Sequence, residues 1–188
     1  ILSMESWIPK DKKKTENFEK LKNFSEKSEP ESILKIVESE NFTFVITIKT
    51  NHDYCARLTK FEYNGYWLEK DTNNVKSIAF LRCEVHNKKV SDNIEYVHHI
   101  YIQDFFVDKP YRKNGYGTIL LNELIKYAKK LQVMYISGKL SFRDIGTEDN
   151  RTQEQKENRK RLYHFYPKHG FIIDEDECIY LQIKKKQD

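Results

Sequence analysis

The chain has 188 residues, with 33 Lys and Arg against 29 Asp and Glu, a net charge of +4 and a sequence pI of about 8.7. That length suits one domain with a core of useful size, and 12 Tyr, 11 Phe and 2 Trp supply bulky core material that a disordered chain lacks. Collagen-like, coiled-coil and low-complexity classes are excluded, and no run of about 18 apolar residues is present to span a membrane.

The start, Ile1–Trp7, lacks a basic region followed by an apolar stretch. Cys55, Cys83 and Cys178 are odd in number, widely spaced and without a CxxC pair. They read as reduced core residues, so the cytoplasm is the expected location. The basic ends, residues 10–14 and Lys184–Lys186, read as solubilising tails. The Lys-, Asn- and Ile-rich composition is associated with low-GC bacterial genes.

In chain order, Phe18, Leu21 and Phe24, then Ile33, Leu34, Ile36 and Val37, are spaced as on amphipathic helices, with Pro30 starting the second. Phe42, Phe44, Ile46 and Ile48 alternate as on a half-buried strand. Residues 54–63 and 66–69 flank Asn64-Gly65, a hairpin signal. Residues 75–86 form a strand, residues 87–93 a loop, and residues 94–107 a long β run. Leu121, Leu124, Ile125 and Ala128 mark a helix over 117–131. A strand at Val133–Leu140 precedes a polar stretch, 142–157, and a helix near 154–166. Two short strands near 170–174 and 178–184 flank a solvated acidic turn, Asp174–Glu177. The fold class is α/β of the α+β type: a mixed, mostly antiparallel central sheet flanked by helices.

The segment that carries chemistry is Phe105–Thr118. A strand runs into a turn with Gly115 and Gly117, and a helix starts at once. A helix's first turn leaves N–H groups without partners, and its dipole adds positive charge there. Glycines let a diphosphate approach the backbone closely. Arg112 and Lys113 add mobile positive charge. The full G-x-G-x-x-G and the Gly-Lys-Ser/Thr of a Walker loop are absent, so NTP and dinucleotide readings lose ground.

Arg112-Lys113-Asn114-Gly115-Tyr116-Gly117 resembles the R/Q-x-x-G-x-G/A signature of the GNAT superfamily of acetyl-CoA-dependent N-acetyltransferases. Val107–Arg112 is similar to its strand exit V-x-P-x-Y-R, with Pro110 one place late. Phe165–Phe171 resembles the later F/L-Y-x-K-x-G-F, with Pro167 directly after Tyr166, which predicts that Tyr166 ends its helix. The asparagine common seven residues before the tyrosine is replaced by Arg159. The resemblance covers about residues 76–183, with residues 1–75 as a variable N-terminal part of one acyl-CoA N-acyltransferase-like domain.

The resemblance implies direct acetyl transfer from acetyl-CoA to a primary amine; no HExxH or Cys/His cluster calls for a metal. Backbone N–H groups of Arg112, Lys113, Asn114, Gly115, Tyr116, Gly117 and Thr118 would hold the diphosphate. Phe106 and Val107 would pair with pantetheine, the Val107 N–H would meet the oxyanion, and Tyr166 would protonate the departing thiolate. For the general base, Asp104 stands first, sharing a strand face with His98; Glu84 is a further option. His98 and His99 point to opposite faces and so do not chelate one ion. The segment 142–157 is expected over the acceptor side.

The expected partner is a small-molecule or peptide amine, with a homodimer left open. A second reading is a catalytically weak acyl-CoA-binding module or protein-interaction domain. A nucleic-acid reading, drawn from Arg151, Lys156, Arg159, Lys160 and Arg161, ranks last.

Overall fold

The computed structural model describes residues 32–53, 58–69, 74–91 and 94–183. The expected helix with Phe18, Leu21 and Phe24, and the start at Pro30, lie outside these residues. Among the described residues, β1 (Ser32–Glu38), β2 (Phe42–Asp53), β3 (Leu58–Glu69), β4 (Val75–Ser91), β5 (Ile94–Val107), β6 (Tyr135–Lys139), β7 (Ile172–Ile173) and β8 (Cys178–Gln182) form one sheet. Its order is β1-β2-β3-β4-β5-β6-β8-β7. The helices are α1 (Tyr116–Lys130), α2 (Phe142–Ile145) and α3 (Gln153–Lys168), with a 3-10 turn at Lys109–Tyr111. Strands β1 and β2, β6 and β8, and β7 and β8 pair antiparallel, whereas β5 and β6 pair parallel. A parallel pair needs a long crossover, which α1 supplies. This is the mixed sheet with helices that the order of elements predicts.

The chain groups into two compact units. Among the described residues, unit one takes those up to Asn51, those within Phe61–Leu81, and Phe106–Leu120; unit two takes those within His52–Lys60 and Arg82–Phe105, and those from Leu121 onward. Unit one buries Phe44, Val45, Ile46, Tyr63, Leu68, Ile78, Leu81 and Leu120. Unit two buries Cys83, Ile100, Ile102, Leu121, Leu124, Ala128, Ile136, Ile145 and Ile179. The apolar stripe of α1 is thus covered at Leu121, Leu124 and Ala128, as its spacing predicts, with Ile125 half-buried at its edge.

The expected loop over 87–93 is largely strand, because β4 runs on to Ser91, and three further expectations fail for identifiable reasons. Ile33–Val37 is strand, not helix. A register shift between Ile33 and Lys35 inserts one residue, and Leu34 turns outward. Ile33 and Ile36 then both reach the cluster of Val45, Tyr66 and Leu68. A bulged strand therefore imitates the i, i+3 spacing of a helix. Asn64-Gly65 is no hairpin turn, because β3 runs through it. A Cβ on Gly65 would lie 2.8 Å from Phe44 Cζ, so the glycine lets that ring pack on the backbone. Tyr166 does not end its helix either: α3 continues through Pro167 to Lys168. The proline costs one N–H bond near the helix end, where Gly170, at φ 86°, turns the chain out.

Candidate active site

In unit one, β5 ends at Val107 and its exit is tightly held. Asp108 N–H donates to Ile78 O at 2.8 Å, Tyr111 N–H to Asp108 O at 2.9 Å, and Arg112 N–H to Lys109 O at 3.2 Å. The Asn114 amide donates to Tyr111 O at 3.3 Å. Lys113 and Gly115 then take left-handed conformations, with φ 68° and 85°. Left-handed residues in such a turn aim N–H groups to one side and create a concavity for anions. For Lys113 that conformation costs about 1–2 kcal/mol, strain of the kind that collects at functional sites. A Cβ on Gly115 would meet nothing within 4 Å. Its positive φ, not crowding by the protein, calls for glycine, and the space above it is open.

Ile119 N–H bonds to Gly115 O at 3.0 Å, so α1 starts here. Helical geometry leaves the N–H groups of Tyr116 and Gly117 without intrahelical acceptors. The Tyr116 ring is buried, 4.5 Å from the Phe44 ring centroid and 6.3 Å from that of Phe42. Tyr116 therefore offers the bend its backbone, not its phenol. Arg112 departs from expectation. Its Nε donates to Val107 O at 2.7 Å, and its guanidinium lies 5.8 Å over the Phe106 ring, so it is tethered, not mobile.

In unit two, the Tyr166 side chain is 4% exposed and its ring packs against Phe165 and Phe171. Its hydroxyl has no hydrogen-bond partner among the described residues, and since no buried polar side-chain atom there is left unpaired, its oxygen keeps access to solvent. Burial pushes this phenol up, and Cys83, Asp144 and Asp104 add to the shift. The hydroxyl thus stays protonated, as a donor must. Cys83 is itself fully buried, and burial raises its thiol. Tyr166 and Asp104 therefore share one electrostatic neighbourhood, and Asp144 joins them. Asp144 was missed as an anonymous member of a polar stretch. Its signal was Ser141 three residues earlier, a helix-start pattern; Ser141 Oγ accepts from Arg143 N–H at 3.2 Å and opens α2.

The other base candidates are engaged. Glu84 accepts from the Gln103 amide, with Lys60 Nζ at 3.2 Å and His86 Nε2 at 3.6 Å. His98 and His99 do not stay apart: their Nδ1 atoms lie 3.0 Å from each other. One nitrogen must donate and the other accept. His99 is also stacked between His86, at 4.4 Å, and Tyr135, at 4.7 Å. Burial, then His86 and His98, lower its pKa to about 4. Among the described residues, no group of three or more His, Cys, Asp or Glu is placed to hold a metal.

The acidic turn is not wholly solvated. Asp174 Oδ1 accepts from Asp176 and Cys178 N–H, at 3.0 and 2.8 Å, and closes the turn. Glu177 instead is buried. It accepts from Arg159 Nε at 2.9 Å, Arg151 Nη2 at 3.5 Å and the Tyr163 hydroxyl. Two of the five basic residues offered to a nucleic acid are thus committed to one carboxylate. Among the described residues, no helix is long and apolar enough to cross a membrane.

The sequence profile of the acetyltransferase (GNAT) family matches residues 32–171. The match begins at β1, ahead of residue 76, where the expected resemblance starts. No curated protein matches the chain. Solved structures similar to it include the NatC complex bound to Gag peptide and CoA, at 16% identity and TM-score 0.43, covering 65% of this chain and 71% of that one. Arabidopsis thaliana NAA60 in complex with acetyl-CoA has 14% identity and TM-score 0.46, with coverage of 64% and 76%. A mutant AtaT toxin bound to the C-terminus of its antitoxin AtaR has 9% identity and TM-score 0.41, with coverage of 73% and 92%. With 32–171 of its 188 residues matched, on a mixed sheet whose β5 turns through a glycine bend into α1, this chain belongs to the acetyltransferase (GNAT) family.

Proposed function

We propose that this protein transfers the acetyl group of acetyl-CoA to a primary amine by direct attack, within one domain whose acetyl-CoA-binding core is residues 76–183. The observation that carries the reading is the bend at Lys113–Gly115: two left-handed residues just ahead of a helix, with open space above the glycine. A diphosphate needs converging N–H donors, positive potential and close backbone approach, and the bend supplies each.

Backbone N–H groups from Arg112 through Thr118 hold the diphosphate. Backbone groups of Phe106 and Val107 pair with pantetheine, and the Val107 N–H meets the developing oxyanion, a donor role worth about 3 kcal/mol where such groups have been removed. Asp104 takes one proton from the acceptor ammonium. The freed nitrogen forms the new C–N bond, the C–S bond breaks, and the Tyr166 hydroxyl gives its proton to the departing sulfur. A tyrosinate is disfavoured beside Asp144 and Asp104 in a buried site. The second nitrogen proton therefore returns to Tyr166 as the bond breaks.

An assay of CoA release across a panel of amines tests this. Release above background with at least one amine, lost together with acetyl-CoA binding in Gly117→Trp, supports it. Acetyl-CoA binding without release for any amine favours the second reading, an acyl-CoA-binding module. That reading draws on Arg159, which stands where the family's asparagine would and is held by Glu177. No thermal shift at millimolar acetyl-CoA overturns both.

A further inference from the structure

Glu177 stands at φ 62°, a left-handed conformation that favours glycine, in a turn whose other three residues are exposed. An L residue held there is strained, and such strain persists only where the surroundings over-determine it. Its buried side chain takes three donors: Arg159 Nε at 2.9 Å, Arg151 Nη2 at 3.5 Å and the Tyr163 hydroxyl. Arg159 also donates to the Tyr163 hydroxyl at 2.8 Å, with its guanidinium 4.1 Å over that ring. A glycine would suit the backbone of this turn better, so the glutamate is there for what its carboxylate grips.

What it grips is one face of α3. Arg159, Tyr163 and Tyr166 fall at i, i+4 and i+7 and lie along that face. Of the whole helix only Tyr166 is fully buried, whereas Leu162 and Phe165 are half-covered. Apolar packing therefore fixes the rotation and axial level of α3 only weakly. The β7–β8 hairpin supplies the rest, because it meets the helix at two levels. Phe171 N–H donates to Tyr166 O at 3.2 Å, and the two rings lie 5.5 Å apart. Seven residues earlier, about 10 Å along the helix axis, Glu177 takes Arg159. The hairpin is itself anchored in the sheet: β8 pairs with β6, and Leu140 N–H donates to Glu177 O at 2.9 Å.

We propose that Glu177 is a positioning residue: through Arg159 and Tyr163 it sets the rotation and level of α3, and so aims the Tyr166 hydroxyl at the departing sulfur. The inference rests on the transferase reading of Tyr166 and adds the group that orients it. Glu177 touches no reacting atom. Its bond to Tyr163 also commits the phenol one turn before Tyr166, which leaves Tyr166 as the tyrosine of this face with a proton to give.

The test uses the full chain with an amine that turns over, and the variants Tyr163→Phe and Glu177→Gln, each alone and combined with Tyr166→Phe. Tyr163→Phe is expected to lower kcat about tenfold, with KM for acetyl-CoA and the thermal shift it gives unchanged. Glu177→Gln, which keeps the shape but not the charge, should do the same and also lower the melting temperature. In the Tyr166→Phe background neither should slow turnover more than about twofold further, because groups that act through one residue are not additive. The loss of melting temperature should persist there. Should Glu177→Gln fail to fold, the Tyr163→Phe pair carries the comparison. Unchanged kcat in the variants, or losses that multiply with that of Tyr166→Phe, overturn the inference and leave the transferase reading standing. A Tyr166→Phe protein as fast as wild type overturns it too. If wild type turns over no amine, hydrogen exchange decides. The His169 and Phe171 amides both donate to Tyr166 O. Loss of about tenfold of their protection in Tyr163→Phe, relative to the Ile136 amide of β6, supports the positioning role while the transferase reading falls; an equal change at all three overturns it.

Discussion

Arg112 Nε donates a 2.7 Å hydrogen bond to the carbonyl oxygen of Val107, the last residue of β5. The N–H of the same peptide, at Asp108, bonds to Ile78 O at 2.8 Å. The peptide that leaves the strand is thus anchored at both polar atoms, and the Phe106 ring lies under the guanidinium. A side chain expected to lend loose charge is a strut at the strand exit. Arg112→Ala is expected to lose about 1–2 kcal/mol in urea unfolding, the worth of a charged-donor bond at a half-buried position. Acetyl-CoA affinity should fall severalfold as the exit loosens. Arg112→Lys keeps the charge but not the planar fork, so it should resemble Arg112→Ala in stability. Wild-type stability in Arg112→Lys would contradict the strut.

Gly115 sits at φ 85° with open space around its missing Cβ. Gly115→Ala should therefore cost about 1 kcal/mol from backbone strain alone, without a clash. If a diphosphate rests on this backbone, acetyl-CoA binding should weaken far more than stability. A matched, small loss in both would remove the diphosphate from this position.

Tyr166→Phe deletes a hydroxyl that has no hydrogen-bond partner among the described residues. Folding stability should stay level or rise slightly, because nothing is left unpaired. Turnover should drop about 100-fold, the scale of a lost proton donor, with KM for acetyl-CoA held. Unchanged turnover would take Tyr166 out of the acid role.

Glu177 joins Arg151, Arg159 and Tyr163, and its own N–H and C=O lie in the bonds that tie the turn to Asp174 and Leu140. Glu177→Ala leaves two guanidinium groups without their carboxylate. A loss of about 2 kcal/mol is expected, below the figure for a fully buried pair because Arg159 is 36% exposed. Chemical unfolding measures it, and a neutral substitution would reduce the cluster to ornament.

His99 has its pKa lowered to about 4 by burial and by His86 and His98. The unfolded chain takes up this proton near pH 6.5, whereas the folded chain resists until about pH 4. Between those values the unfolded state binds more protons, so stability falls as the pH falls through that window, and the loss levels off below it. Melting temperatures of wild type and His99→Phe should run parallel above pH 6.5 and diverge below it, with wild type declining faster. Parallel curves down to pH 4.5 would show that the His86–His99–Tyr135 stack does not hold the imidazole neutral.

The long strand, the glycine bend and the helix after it were readable because their causes are local. Alternation over 94–107, two glycines and a stripe at 121, 124 and 128 occupy consecutive stretches of chain. Reading failed where a local pattern had a distant cause. The spacing of Ile33 and Ile36 answers to a bulge against β2, and Gly65 answers to the ring of Phe44. The two carboxylates of the turn that differ most, Asp174 and Glu177, look alike in the chain; Arg151, Arg159 and Tyr163, which reach Glu177 from α3 and the residues before it, distinguish them.

By itself, then, the amino-acid order determined a mixed sheet, a strand–bend–helix able to cradle an anion, and a tyrosine in a recognisable motif. These need only neighbours along the backbone, since helix dipoles, left-handed turns and strand alternation act over a few residues. Tertiary structure alone decided that Arg112 braces Val107, and that burial, with Cys83, Asp144 and Asp104 adding to it, keeps the Tyr166 phenol protonated. Desolvation and charge proximity depend on which segments meet in space, and β4, β5, α2 and α3 carry no mark in their own spacing of the company they keep.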